Sequence, residues 1–526
     1  APATGPTSSL QTSTTISLSW SAPSSDGSSG SDATGYRLYD VSGGSAVVLY
    51  SGSSTAFEQT GLTAGASYSY EVSAVSDAGE SPTTSPLVQY TAPSAPTALV
   101  SSAWTTTSYQ IDWVAPSVAA SAPAVSGYTL YERVTYEMSD VGTSGAIPDD
   151  VLQTMLSQST DTVVVDTVAY DGRASTAVTT TLSGLTGGAS TSYVVAARSS
   201  AGEGDRSSAL SVSTSPPAPG TLASVLQTTS SITLSWSAPV VTTGVAVTGY
   251  NLYIDDGSSG TPDTLVTTCS GAALDTGCSA TGLDGGVTYS FKVSALSTAG
   301  ESDASSVFAE MTAPAAVAGS MVFSSVTMTG MVLTWTAPSG AAPTGYIVYR
   351  DDGDSSAMPT PSIVAYDGAG STALTAPVTG LTGGTTYRYM VAALSASGVG
   401  DVSGVSSQST SPAAPMGLSS VVQTSTSISL SWSASVVSVG GSAVTSYKVY
   451  SNDGSSASAA LSSTAVHTTA DGTTTTATID SLSPGLLYSF AVSAVSAAGE
   501  GEQSAVLAQS SSPGAPASGP TSVHQT

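Results

Sequence analysis

The chain repeats itself, and a repeat of this length limits it to a string of small domains. Residues Ala1 to Thr12 read APATGPTSSLQT and residues Ala515 to Thr526 read APASGPTSVHQT, identical at nine of twelve positions. Between them one pattern recurs five times at a spacing of about 100 residues, the size of one small domain. The expected units are residues 1–93, 94–216, 217–314, 315–412 and 413–513, with 514–526 as the start of a sixth. The 526 residues thus read as a window on a longer array, with Ala1 a processed or truncated start.

Three markers define the unit. Trp20, Trp113, Trp236 and Trp335 each stand two residues before an Ala-Pro pair, and Trp432 keeps the Ala but not the Pro. Each closes a run such as Ile16-Ser17-Leu18-Ser19-Trp20, whose period of two marks a strand with one buried face. The second marker is a tyrosine strand beginning at Tyr36, Tyr128, Tyr250, Tyr346 or Tyr447. The third is a Leu, a Gly-containing turn and a Tyr, read as Leu62…Tyr68, Leu185…Tyr193, Leu283…Tyr289, Leu381…Tyr387 and Leu482…Tyr488. Short alternating strands with regular turn signals predict an all-β antiparallel sandwich in each repeat.

From the marker Trp to the third-marker Tyr there are 48, 53, 52 and 56 residues in repeats one, three, four and five, against 80 in repeat two. The extra residues fall at about 132–162. Within them Ile147 to Leu156 has early acids and apolar Val151, Leu152, Met155 and Leu156. That pattern suits a short helix, either capping its own sandwich or serving as an interaction loop.

Composition removes several classes of function. With 36 acidic against 9 basic residues the net charge is −27, so neither nucleic acid nor an anionic membrane is an expected partner. No apolar run reaches the length needed to span a bilayer. The histidines are His467 and His524, and the acids fall mostly in turns, so no catalytic constellation is evident and no enzyme is expected. Asp256-Gly257, Asp352-Gly353, Asp367-Gly368, Asp453-Gly454 and Asp471-Gly472 all read as tight turns. Asp351, Asp352 and Asp354 form a weak calcium candidate that lacks the spacing of a calcium loop, and no other cofactor is indicated.

Cys269 and Cys278 lie nine apart around a Gly- and Asp-containing segment. A local disulfide is the expectation, with free thiols or a metal as alternatives, and a disulfide implies an oxidising, extracellular or cell-surface setting. Ser and Thr make up about a third of the chain, well above ordinary usage. They either keep strands wet or carry O-glycans, with Thr91, Ser94, Ser213, Thr214, Ser215, Thr312, Thr410 and Ser411, beside the Pro-containing joins, as candidate sites. Neither Asn251 nor Asn452 begins an N-glycosylation signal.

The Trp strand, the Tyr strand and the Leu-turn-Tyr corner before a Val-x-Ala strand together resemble the fibronectin type III domain, in all five repeats. The resemblance implies seven strands in two sheets without an obligatory intradomain disulfide, and by itself no function. The turns after Gly79, Gly202, Gly300, Gly398 and Gly499 lack the Arg-Gly-Asp sequence that some members of that family display. The function expected is structural: an extracellular fibre or surface coat, O-glycosylated, assembling with itself head-to-tail or as one long covalent array. The alternative is an adhesion array, or spacer modules of a larger secreted protein. Pro-containing joins favour extended backbone, and domains of about 35 Å predict a rod on the order of 170 to 200 Å.

Overall fold

The computed structural model describes residues 2, 4–23, 32–137, 147–148, 150–151, 154–155, 162–241, 244–269, 274–353, 363–456 and 459–516. Its strands group into five two-sheet modules. In the first, β1 (Thr4–Gln11), β2 (Ile16–Ser21) and β5 (Ala56–Gln59) form one sheet in the order β1-β2-β5. The other contains β3 (Gly35–Asp40), β4 (Val47–Gly52), β6 (Ser67–Ser76), β7 (Gly79–Glu80) and β8 (Leu87–Tyr90), in the order β4-β3-β6-β7 with β8 also on β6. The same two sheets recur in every module. Alternation places Ile16, Leu18 and Trp20 on the buried face of β2 and leaves Ser17 and Ser19 at the surface side.

The cores repeat in kind. Trp20, Trp113, Trp236, Trp335 and Trp432 are all buried, and each meets the strand tyrosine Tyr36, Tyr128, Tyr250, Tyr346 or Tyr447 edge-on, with ring centroids 5.3–5.9 Å apart. The corner tyrosines hold the turn before β6: the hydroxyls of Tyr68, Tyr289, Tyr387 and Tyr488 accept the backbone N–H of Thr63, Asp284, Thr382 and Ser483 at 2.8–3.0 Å.

Module two corrects the expected corner. Tyr193 pairs with Leu210 across the sheet as Tyr70 pairs with Leu87, so its place is that of Tyr70; the corner position falls to Thr191. The Tyr193 hydroxyl instead accepts from the buried Tyr109 hydroxyl at 3.0 Å. Tyr109 stands where Ile16 stands in module one, so module two holds a tyrosine at both positions of this contact.

The inserted residues of module two lengthen a hairpin. Strands Gly127–Glu137 and Thr162–Gly172 pair from Tyr128↔Gly172 to Glu137↔Thr162, where β3 and β4 have six residues each. Beyond their ends Asp150, Val151, Thr154 and Met155 are helical. Ile147, Val151 and Met155, four residues apart, are buried together against Tyr136, Val163 and Val165 of the hairpin. Leu152 and Leu156 lie outside the described residues.

One further expectation changes. Asp367-Gly368 lies within the strand Ile363–Ala369, not in a turn, whereas Gly257, Gly353 and Gly454 do adopt the positive φ of tight turns. Of the expected start of a sixth repeat, residues 514–526, all but 514–516 lie outside the described residues.

Candidate functional site

One polar cluster recurs at the same pole of the sandwich, where β6 turns into β7. The turn glutamate Glu80 receives hydrogen bonds from the hydroxyls of Tyr39 and Ser73 and pairs with Arg37 at 2.7 Å. Glu301 is held likewise by Tyr253 (2.6 Å), Ser294 and Asn251 (3.1 Å), and Glu500 by Tyr450, Ser493 and Lys448 (2.8 Å). In module two Glu203 meets Tyr131 at 2.6 Å and pairs with Arg198. Hydrogen bonds from Ser73 and Tyr39 keep the Glu80 carboxyl below the ordinary range. Burial pushes Glu301 and Glu500 up, but their hydroxyl, amide and ammonium donors outweigh it and leave both lowered. An acid so supplied with donors is a fixed anion, suited to hold a turn and unsuited to general acid catalysis.

Module two has a second anion of this kind. Asp166 receives Arg133 through two bonds of 2.7 and 2.8 Å and also meets Arg206, which lies over the Tyr131 ring. The Arg133 hydrogen bonds hold its carboxyl below the ordinary range. Both arginines thus pair with the hairpin's Asp166, Arg133 from the hairpin itself and Arg206 from the strand Gly202–Arg206.

The candidate glycosylation hydroxyls are mostly inside the protein. Thr91, Thr214, Thr312 and Thr410 are buried, and each donates to a carbonyl at 2.7 Å (Thr63, Thr186, Asp284 and Thr382) while accepting the N–H of Ala66, Ala189, Val287 or Thr385. Ser511 does the same in module five, so this hydroxyl is a clamp that ties the end of each sandwich to its corner turn. Ser215 and Ser411 are also buried, with their hydroxyls on the carbonyls of Ala299 and Val326. All six hydroxyls are thus buried and engaged as structural donors. Ser94 and Ser213 are half-buried.

Cys269 ends a short 3₁₀ turn and Cys278 lies in strand Gly277–Thr281; the two are joined as a disulfide with Cα atoms 5.7 Å apart. One carboxylate oxygen of Asp351 accepts the backbone N–H of both Gly353 and Arg388. Asp352 is exposed and Asp354 lies outside the described residues. Among the described residues no group of three His, Cys, Asp or Glu is placed to hold a metal ion, and no helix is long and apolar enough to cross a membrane.

What the poles do is meet one another. The carbonyls of Gly65, Gly286 and Gly384, each in a turn before β6 or its counterpart, accept N–H bonds from Ala119, Ala341 and Ser438 of the following module at 2.8–3.1 Å. At the remaining joint a Cβ on Gly244 would collide with the Gly188 carbonyl oxygen. On the next module the residue two after the β6–β7 turn glycine abuts the join: a Cβ at Gly204, Gly400 or Gly501 would strike the carbonyl of Pro93, Pro314 or Pro412. These contacts join residues far apart in the chain, so no local sequence signal marks them.

Comparison with known proteins follows the same division. The model of the family described as the fibronectin type III domain matches residues 1–90, 215–310, 314–409 and 413–510. The span left between the first two matches holds the module with the lengthened hairpin and the displaced tyrosine. The chain is similar to Exoglucanase B of Cellulomonas fimi, 29% identical over 328 residues that cover 59% of this chain and 25% of that protein. It is 40% identical over 141 residues to Chitinase A1 of Niallia circulans, covering 25% of this chain and 18% of the other. To Endoglucanase B of Cellulomonas fimi it is 32% identical over 301 residues, 54% of this chain and 25% of the relative. It therefore spans a quarter or less of the length of these relatives. With the family model matched over most of its length, and the sandwich it describes repeated in all five modules, the chain belongs to the fibronectin type III domain family.

Proposed function

We propose that the chain is a non-catalytic set of spacer modules within a secreted protein that acts on glucan or chitin. The observation that carries this reading is the engagement of the module poles. Loops at the ends of a sandwich are where such a scaffold presents binding residues, and here those of consecutive modules are bonded to each other. A chain built this way holds its two ends apart. The glucanase and chitinase relatives supply the kind of protein in which it would do so, and the Cys269–Cys278 disulfide suits an extracellular setting.

A second reading, a fibre or coat assembled from the same modules, is supported by the joints too, since contacts of this kind propagate without closing into a ring. In that reading O-glycans occupy exposed strand hydroxyls together with Ser94 and Ser213, the two candidate hydroxyls that are not fully buried.

The purified chain separates these readings. Incubated with microcrystalline cellulose and with colloidal chitin, it is expected to release no reducing sugar, to stay in the supernatant and to show isolated particles by electron microscopy. Sugar release would overturn the non-catalytic assignment, co-sedimentation would make it a binding array, and long uniform filaments would make it a fibre. An intact mass above the 51.5 kDa polypeptide by multiples of a hexose or hexosamine residue would establish glycosylation.

A further inference from the structure

The joints carry a second contact whose chemistry varies in step on its two sides. The turn between β1 and β2 reads Thr12-Ser13-Thr14-Thr15, and its second residue faces the following module. Ser13 donates to Asp205 of module two at 2.5 Å, Thr106 of module two to Asp303 of module three, and Thr229 of module three to Asp401 of module four at 2.6 Å. The acid is each time the third residue after the turn glycine: Gly202, Gly300 or Gly398. Ser13 and Thr106 are buried, so these hydroxyls are withdrawn from water and answered by a carboxylate.

The fourth joint is the informative exception. The hydroxyl position is Met328, the acid position is Glu502, and the Asp found at the other three joints is absent. This joint has hydroxyl contacts elsewhere: Thr385 with Ser438 at 2.9 Å, and Thr386 to the Gly440 carbonyl at 2.7 Å. Loss of the hydroxyl on one module thus coincides with loss of the aspartate on its neighbour and with a replacement pair on the other contact.

We propose that the turn hydroxyl and the aspartate are a module-to-module recognition pair. The partner it selects is another fibronectin type III module bearing Asp three residues after its turn glycine. Together with the connecting peptide and the glycine-carbonyl contact, the pair gives each of the first three joints a third point of attachment. A third point restrains bend and twist together, so these joints keep a set angle. The inference concerns geometry alone and stands whether or not the chain serves a polysaccharide-acting protein.

Spin labels placed on exposed sites of adjacent modules, at Val48→Cys and Val168→Cys, read this directly by pulsed dipolar spectroscopy. The expected result is a single narrow distance peak that broadens or splits when Asp205→Ala is added, and that is unchanged by Glu502→Ala at the remote fourth joint. Asp205 is exposed, so its removal leaves the module folded, which far-ultraviolet circular dichroism verifies. Installing the pair with Met328→Thr and Glu502→Asp is expected to narrow the distribution between labels on modules four and five. A wild-type peak already as broad as that of Asp205→Ala, or no change on removing Asp205, would overturn the proposal.

Discussion

The position two residues after the corner tyrosine is occupied by Tyr70, Phe291, Tyr389 and Phe490, all fully buried, so this one chain contains its own substitution series. The hydroxyls of Tyr70 and Tyr389 are buried without a hydrogen-bond partner, and burial pushes both phenols up from their ordinary value. An unmade hydrogen bond in a core costs about 1–3 kcal/mol. Tyr70→Phe and Tyr389→Phe are therefore expected to raise stability by roughly 1 kcal/mol, whereas Tyr193→Phe strands the Tyr109 hydroxyl and lowers it by a similar amount. Denaturant unfolding of the three variants checks the sign, and a loss in all three would sink the argument. A second natural comparison lies at Asp255, Asp351 and Asn452. Each offers one oxygen to two backbone N–H groups, but Asn452 also donates to the Ser456 carbonyl at 2.7 Å, while the other oxygen of each aspartate is buried without a partner. Asp255→Asn and Asp351→Asn are expected to stabilise their modules by about 1 kcal/mol, measured by calorimetry. Unchanged or lower melting temperatures would refute it.

At the scale of strands and turns, the buried face of each sandwich was legible because period two and an aromatic pair survive any loop length. The module-two corner was not, although a signal was present. The Leu-to-Tyr spacing is six in four repeats and eight from Leu185 to Tyr193, and counting six reaches Thr191. The clamping role of the threonines before each proline was hidden for a different reason. A Ser/Thr-Pro stretch looks like a solvated linker, but the clamp of Thr312 on Asp284 and Val287 depends on a turn that comes into place only on folding. The β6–β7 turns yield a prediction in pH. Glu80, Glu301 and Glu500 have folded-state values below that of an unfolded glutamate, about 4.3. Their contribution is complete above that pH and is lost as pH falls through the lower folded values. Module four has Val399 at this site and lacks the contribution. The melting temperature of the triple variant Glu80→Gln, Glu301→Gln, Glu500→Gln is expected to fall less steeply than wild type between pH 5 and pH 3, on the order of this carboxylate window. Parallel curves would show that the glutamates are not linked to folding.

At the scale of the molecule, the strand ladders of the described residues stay within modules and the inter-module hydrogen bonds described above run between consecutive modules. That connectivity makes an end-to-end arrangement and gives solution scattering two well-separated outcomes. A chain of 526 residues packed as one compact body has a radius of gyration of about 24 Å by the usual size scaling. Five modules of about 35 Å in line make a rod of roughly 170 Å, whose radius of gyration is near 50 Å. Net charge of −27 acts in the same direction, since like-charged modules repel at low salt, but that term is screened within about 8 Å at physiological ionic strength. The joints, being hydrogen-bonded contacts at short range, are not screened in this way. The radius of gyration is therefore expected to stay close to the rod value when salt is raised from 20 mM to 500 mM, a range of roughly fivefold in screening length. Collapse toward 24 Å on adding salt would mean that repulsion, rather than the bonded joints, keeps the modules apart.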